Sequence, residues 1–337
     1  MRILKNSLLS GIFLALLTLF PTLVAAQSNG LGITPRRELT VEAGKTVNDT
    51  LYINNLSTTQ PLKMNVKVID FKASNETGSP QLDLRTNAPL TAWSLKPFIK
   101  IADHVELAPG KSAFVPYTIT IPAGQGAGSY YSAVQFMADN SSDKQVTLAA
   151  SGVSLVFARV PGVAKESLQL QKFGAFVPTS DKSSGSYGSF YLTTPPQQFA
   201  YLLKNSGNIA EAPAGSILVK NIFGKNVKVI EDANAYHALA LRDQTRRFDV
   251  CYTDAKTQEG VLTGKCSKVN LAPGYYTASL TLLYGQNGST SNEIHASAGF
   301  WYLPLWFIAV VIAILAALAL GIWFIYKRLT RSSKKRR

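Results

Sequence analysis

Few residues in this chain are equipped for covalent or metal chemistry. Its three histidines, His104, His237 and His295, each stand alone. None lies at the His-x-x-x-His spacing by which one helix face offers two imidazoles to zinc. No Gly-x-Ser-x-Gly elbow is present to expose a serine nucleophile on a strained turn. Gly124-Gln125-Gly126-Ala127-Gly128 has the glycine density of a phosphate loop, but neither a Lys-Ser/Thr pair nor a helical pattern follows, so it reads as a connection. The two cysteines, Cys251 and Cys266, are too few for a zinc site. In an oxidising compartment they pair as a disulfide worth about 3 kcal/mol through the unfolded chain, the alternative being two buried thiols. No catalytic, cofactor-binding or metal-binding residue is assigned and no cofactor is expected, so the chain reads as a binding protein and not an enzyme.

Residues that bind without reacting are therefore the better lead. Tyr130-Tyr131 opens a strand after the glycine connection, and successive strand residues face opposite sides. Val134 and Phe136 share the Tyr130 side, which marks that side as core. Tyr131 then faces outward and is the candidate contact residue, able to stack on a sugar or pack on a protein; the alternative is packing between two domains. Trp93 and Phe98 flank a Lys-Pro turn and are either core or contact. The glycine connection and the Ser/Gly-rich segment Asp181–Gly188, read as a mobile loop, are the adaptable segments. Edge strands add a second route, accepting a partner strand through backbone bonds. Asn-x-Ser/Thr acceptors at Asn48, Asn55, Asn75, Asn140 and Asn287 point to surface positions.

The elements that must position these residues are strands. Between Gln27 and Gly299 the pattern has period two: Leu62, Met64, Val66 and Val68 alternate with Lys63, Asn65 and Lys67, and Ala278, Leu280, Leu282 and Tyr284 follow the same rule against Ser279 and Thr281. Turn signals recur at Pro109-Gly110, Asn205-Ser206-Gly207 and Pro273-Gly274, and no long amphipathic helix intervenes. The expected fold is all-β, two tandem immunoglobulin-like β-sandwiches at 27–161 and 162–299, followed by one transmembrane helix. Internal similarity supports the division. A strand running into Asn occurs at Leu51–Asn55 and again at Tyr201–Asn205, and Leu-Ala-Pro-Gly occurs at 107–110 and 271–274, each time before a strand rich in Tyr and Thr.

Both ends read as addresses. Arg2 and Lys5, an apolar block from Gly11 to Leu17 and the small-residue close at Ala25-Ala26 have the order of a secretory signal over residues 1–26, the alternative being an uncleaved anchor. Residues 303–326 carry no charge, have aromatics at both ends and reach about 36 Å as a helix, enough for a hydrocarbon core of about 30 Å. Seven basic residues follow in the tail, 327–337, and favour the cytoplasmic side. The tail is a stop-transfer signal, with contact to anionic lipid as the other reading. Leu303-Pro304 is not a sortase signal, because Leu305-Trp306-Phe307 replaces the required Thr-Gly. Much of the +14 formal charge lies in these ends instead of over a folded face, which disfavours a nucleic-acid partner. The lipid bilayer is the first expected partner.

This layout resembles the WxL-interacting surface proteins of Gram-positive-type bacteria. Leu31–Pro35 resembles their opening strand, Glu42-Ala43-Gly44-Lys45-Thr46 their first turn, Leu107–Ser112 with Thr118–Pro122 their late turn and strand, and Gly128–Val134 their returning strand. The resemblance implies a peptidoglycan-binding first domain and a second domain for host or partner contact. The second half, with Asn205–Asn208 and Asn221–Lys225, is similar instead to generic β-sandwiches of bacterial envelope proteins. Periplasmic pilus chaperones open with a comparable domain, but a membrane span does not fit a soluble chaperone. The expectation is a single-pass cell-membrane protein, N-terminal domains outside, that binds a cell-wall polymer or another surface protein. An accessory, chaperone-like factor for exported proteins is the runner-up.

Overall fold

In the computed structural model, residues 30–74, 76–85, 87–139, 151–163, 165–256, 262–285 and 292–333 are described. The signal segment 1–26, the acceptors Asn75, Asn140 and Asn287, and the last four residues of the tail lie outside the described residues. Alternating side chains sort onto two faces, as the period requires. In the strand Leu62–Ile69, Met64 and Val66 are buried while Lys63 and Lys67 are not.

The chain is mostly β-strand with one C-terminal helix. A four-stranded sheet in the first half has the order β1 (Leu31–Ile33), β3 (Thr46–Asn55), β9 (Ser112–Thr120), β7 (Ile99–Ile101). Against it lies a five-stranded sheet, ordered β2 (Arg36–Thr40), β11 (Ser151–Val160), β10 (Gly128–Ala138), β4 (Leu62–Ile69), β8 (His104–Leu107). Leu51, Ile53, Val115 and Ile119 from the first sheet and Met64, Val134, Phe136 and Val156 from the second form one buried cluster. The second half repeats the arrangement. Its four-stranded sheet is β13 (Gly185–Tyr187), β12 (Leu168–Pro178), β15 (Gln198–Asn205), β18 (Thr245–Cys251). Its five-stranded sheet is β14 (Phe190–Tyr191), β22 (Asn292–Tyr302), β21 (Gly274–Tyr284), β16 (Ala214–Asn221), β17 (Asn226–Ile230). Phe199, Tyr201, Ile217, Val219, Leu280 and Phe300 fill the space between them. Two hairpins, β5 (Phe71–Ala73) with β6 (Pro80–Leu82) and β19 (Asp254–Lys256) with β20 (Leu262–Cys266), are appended. Cys251 and Cys266 are joined as a disulfide that ties the end of β18 to the end of β20.

Two local devices recur in both halves, and the repeated strand-end asparagine is one of them. Gly128 and Gly274 open β10 and β21 at φ 147° and 156°, backbone that favours glycine. Two residues on, the rings of Tyr130 and Tyr276 enter the cores, and each buried hydroxyl donates to a carbonyl four residues back, Gly126 O at 2.8 Å and Ala272 O at 2.7 Å. A tyrosine bonded back to nearby backbone in this way pins the corner of a sandwich. The strand-end asparagines match as well. Oδ1 of Asn55 accepts from Ser57 N–H (3.0 Å) and that of Asn205 from Gly207 N–H (2.8 Å). The amide nitrogens donate to Gln60 O (2.8 Å) and Ile209 O (2.6 Å), and then to carbonyls distant in sequence, Ala108 O (3.2 Å) and Ala240 O (2.8 Å). Asn55, expected at the surface as a glycan acceptor, is instead buried with its amide nitrogen occupied.

The outer face of the first five-stranded sheet is covered by the second half. Tyr131, Ala133, Phe157, Ile69 and Phe71 join Ala210, Leu239 and Leu241 in a third cluster. Polar bonds fix the same junction: Ser129 N–H to Asn208 O (2.9 Å), Asn208 Nδ2 to Ala127 O (3.0 Å) and Ala73 N–H to Gln244 Oε1 (2.9 Å). The junction lies at the Ala214 end of β16, which pairs with Leu283 near the far end of β21.

Helix α1 (Leu305–Ser333) starts where Pro304 O accepts the first helical bonds, from Phe307 and Ile308 N–H, two residues later than the sequence pattern set it. Leu305–Arg328 has a mean hydropathy of 2.9 with no burial, long and apolar enough to cross a membrane.

Candidate functional site

β3 and β9 pair in antiparallel register and send alternate side chains outward. The outward pairs are Thr46–Thr120, Asn48–Thr118, Thr50–Pro116, Tyr52–Phe114 and Asn54–Ser112. None of these positions carries a charge. The polar pairs bond across the strands: Thr46 Oγ1 with Thr120 Oγ1 (3.0 Å), Thr118 Oγ1 to Asn48 Oδ1 (2.9 Å) and Ser112 Oγ to Asn54 Oδ1 (3.2 Å). Tyr52 OH shares a 2.9 Å bond with Ser112 Oγ. The Tyr52 and Phe114 rings meet at 5.3 Å between centroids, and Phe114 remains 68% exposed. Cross-strand pairs of this kind stabilise the sheet, while their outer surfaces keep hydroxyl, amide and ring faces available. Asn48, an exposed member of the face, begins one of the Asn-x-Ser/Thr triplets, and its surface position agrees with that signal. Lys100 stands opposite Thr118 on the flanking strand.

An ionic group beneath the face fixes its shape. Arg37 from the opposing sheet grips Asp49 with two bonds, Nε to Oδ2 at 2.9 Å and Nη2 to Oδ1 at 2.7 Å, and Tyr117 OH donates to Oδ2 at 2.8 Å. Partial burial works to raise the Asp49 carboxyl, but the Arg37 bonds, backbone Thr50 and Tyr117 outweigh it and hold it below its ordinary value. The carboxylate stays ionised, and the two sheets stay locked at that edge.

The corresponding sheet of the second half offers a direct contrast. Phe176 and Tyr187 are also opposite one another in register, with centroids 5.0 Å apart. Here cations lie on the rings: Lys172 Nζ is 4.4 Å from the Tyr187 centroid and the Arg247 guanidinium 4.6 Å from that of Phe176. Asp249 accepts from Arg247 Nε (2.8 Å) and Nη2 (3.1 Å), and Lys182 O accepts a further bond at 3.0 Å. Burial pushes the Tyr187 phenol up to about 12, with Arg247 pulling the other way. The Phe176 side chain is buried under this cover.

The residues singled out from the sequence are placed elsewhere. Tyr131, the candidate contact residue, is fully buried in the junction among Phe71 (5.1 Å), Phe157 (5.6 Å) and stacked Trp93 (6.0 Å). Alternation correctly sets it opposite Tyr130, but alternation says nothing about what covers a face, so the packing alternative is the one observed. Phe98 packs on the first core and touches Tyr130 at 6.3 Å. The glycine connection is engaged at the junction through Ala127 O and is not a free end loop. Segment 181–188 is a bonded turn and a strand: Asp181 accepts from Thr179 Oγ1 (2.6 Å) and Ser183 Oγ (2.6 Å), and Gly185–Tyr187 pairs with β12. Tyr52 and Phe114 were not singled out. Their outward placement follows from alternation, but their meeting joins strands far apart in sequence and has no local signal.

No family model matches the chain, and no curated protein matches it. Among solved structures it is similar to the class 5 fimbriae chaperone CfaA, at 10% identity and TM-score 0.38, over 80% of this chain and 98% of that one. It is similar to the SafB chaperone solved with the SafA pilin of Salmonella enterica, at 10% identity and TM-score 0.35, over 81% and 99%. A PapD-like domain of human CEP192 aligns at 15% identity and TM-score 0.29, over 43% of this chain and 94% of that domain. At these scores the likenesses say nothing about what this chain binds, and the β-sandwich description rests on its own sheets.

Proposed function

We propose that the protein is a membrane-anchored cell-envelope protein with two tandem immunoglobulin-like domains, 27–161 and 162–299, that binds a partner on the outer face of β3 and β9 and carries out no chemistry. The repeated glycine–tyrosine corner and buried asparagine support the count of two. The observation that carries the binding site is the uncovered Tyr52–Phe114 pair, set among hydroxyls and amides, when the aromatic pair on the outer face of the other four-stranded sheet, Phe176–Tyr187 on β12 and β13, is covered from within the chain. An aromatic ring takes the apolar face of a sugar while neighbouring hydroxyls and amides meet its oxygens, and the β3–β9 pairs carry no charge of their own, with Lys100 flanking them on β7. A cell-wall glycan is the partner this chemistry fits best, in keeping with the resemblance to wall-binding surface proteins. The helix crosses the cell membrane, with the sandwiches outside and the tail in the cytoplasm.

The test is retention of the purified full chain by peptidoglycan sacculi, with Phe114→Ala alongside. Retention of the parent and at least tenfold weaker retention of the variant is the expected result, equivalent to about 1.4 kcal/mol. Equal retention of both, or none of either, overturns the assignment of the face to a wall polymer. Co-purification of an exported protein through the same face, sensitive to Phe114→Ala, would give the accessory role instead.

A further inference from the structure

The passage from β22 to the helix is two residues long, Leu303 and Pro304, and it is held in place. Trp301 N–H donates to Ser189 O (2.7 Å), Leu303 N–H to Tyr191 O (2.9 Å) and Leu305 N–H to Leu192 O (3.1 Å). The segment 189–192 therefore runs alongside the start of the helix. Phe190 and Leu192, on either side of buried Tyr191, are exposed at 65% and 46%.

Register shows what else lies at this end of the sheet. Gly274 is opposite Tyr302, Tyr276 is opposite Phe300, and Asn221 is opposite Tyr276. The turn joining β16 to β17 thus projects past Asn221 in the direction taken by the helix, about 10 Å to its side at two strand spacings. Its tip is apolar, with Ile222 60% and Phe223 89% exposed. It is also firmly built. Asn221 Oδ1 accepts from Phe223 and Lys225 N–H, both at 3.0 Å, Asn221 O accepts from Gly224 N–H at 2.9 Å, and Gly224 takes φ 76°. A turn facing water gains nothing by displaying Ile-Phe at its tip. The hairpin carries Lys220, Lys225 and Lys228, and no acid occurs between Ala214 and Ile230. Apolar tips backed by cations match the interface of a bilayer, where rings settle at headgroup depth and phosphates lie just above.

We propose that this end of the second sandwich is seated in the lipid headgroup layer, with Ile222 and Phe223 entering on one side of the helix and Phe190 and Leu192 on the other. The proposal rests on the reading that the helix spans a membrane. The sandwich then stands on the bilayer at a fixed attitude, without a flexible stalk.

Single-cysteine substitutions labelled with an environment-sensitive fluorophore test it in the full chain, disulfide intact, in phosphatidylcholine–phosphatidylglycerol vesicles containing lipid brominated near the headgroup. The positions are Phe223→Cys, Lys225→Cys (which keeps the aromatic), Trp306→Cys in the helix, and Glu231→Cys, about 17 Å back along the hairpin by strand rise. Quenching at 306 and at 223 or 225, with none at 231, is the expected pattern. Quenching at 306 with none at 223 and 225 overturns the seat while leaving the span intact. Equal quenching at 231 overturns the upright attitude and the seat with it. No quenching at 306 overturns the spanning reading itself, and the seat falls with it.

Discussion

Each four-stranded sheet bears two aromatic rings directly opposite one another on its outer face, and the two pairs have different fates. In the second half, Lys172 and Arg247 lie over Tyr187 and Phe176, and Asp249 anchors Arg247. In the first half, the neighbours of Tyr52 and Phe114 are Thr, Asn, Ser and Pro, and nothing in the described chain lies over Phe114. The placement of a ring on a strand thus does not decide whether it serves stability or recognition. What lies over the ring decides it: Lys172 and Arg247 reach Tyr187 and Phe176, whereas Lys100 on β7 leaves Phe114 exposed. A third aromatic, Tyr131, makes the point again: it is outward on its own sheet, yet buried because the other half of the molecule covers it.

Four substitutions test whether cover is what separates these rings. Tyr131→Ala has the largest expected effect, a loss of about 3–5 kcal/mol from a fully buried ring whose surroundings cannot collapse. Urea unfolding reads it, and an unchanged midpoint would show that the junction opens in solution. Arg247→Ala comes next at about 2 kcal/mol, because it uncovers Phe176 and strips Asp249 of two charge-assisted bonds. A loss near zero there would mean that the cover is incidental. The exposed Lys172→Ala change removes one ring contact and is expected to lower stability by about 0.5–1 kcal/mol. Phe114→Ala sets the baseline, with stability within about 0.5 kcal/mol of the parent. A large destabilisation by that variant would move the Tyr52–Phe114 pair from recognition to packing and erase the contrast.

Much of this architecture was legible in the sequence. Period two placed Tyr130, Val134 and Phe136 together in the core, and all three are buried there. The strand-end asparagines occupy matching corners, whereas the Leu-Ala-Pro-Gly repeat falls before strands that do not correspond, β9 of a four-stranded sheet and β21 of a five-stranded one. The proposed binding face was much less legible. Alternation assigns Tyr52 and Phe114 outward one at a time, but an uncharged surface arises only when β3 and β9 are laid side by side, and that pairing is set by the whole sandwich. Asn55 failed for the opposite reason: a three-residue acceptor signal carries no information about a carbonyl 53 residues away that occupies its amide nitrogen. Tyr131 needed knowledge of the other half of the molecule.

The parallel strand pairings β2–β11 and β14–β22 have a kinetic consequence. β2 cannot meet β11 until Leu155–Arg159 is available, and Phe190–Tyr191 cannot meet its partners until Trp301–Tyr302 is available. Closures over such long separations are slow, because loop entropy must be overcome before the contacts form. A chain emerging N-terminus first completes its first unit only when residue 159 or so has appeared. Its second unit is completed by the residues that immediately precede the helix. On the proposed reading of the helix as a membrane span, final closure of that unit and partitioning of the helix into lipid draw on one stretch of chain at nearly the same moment. Until then its unpaired strand edges await their partners beside the bilayer, which makes the last few residues before the helix the commitment point for the entire molecule.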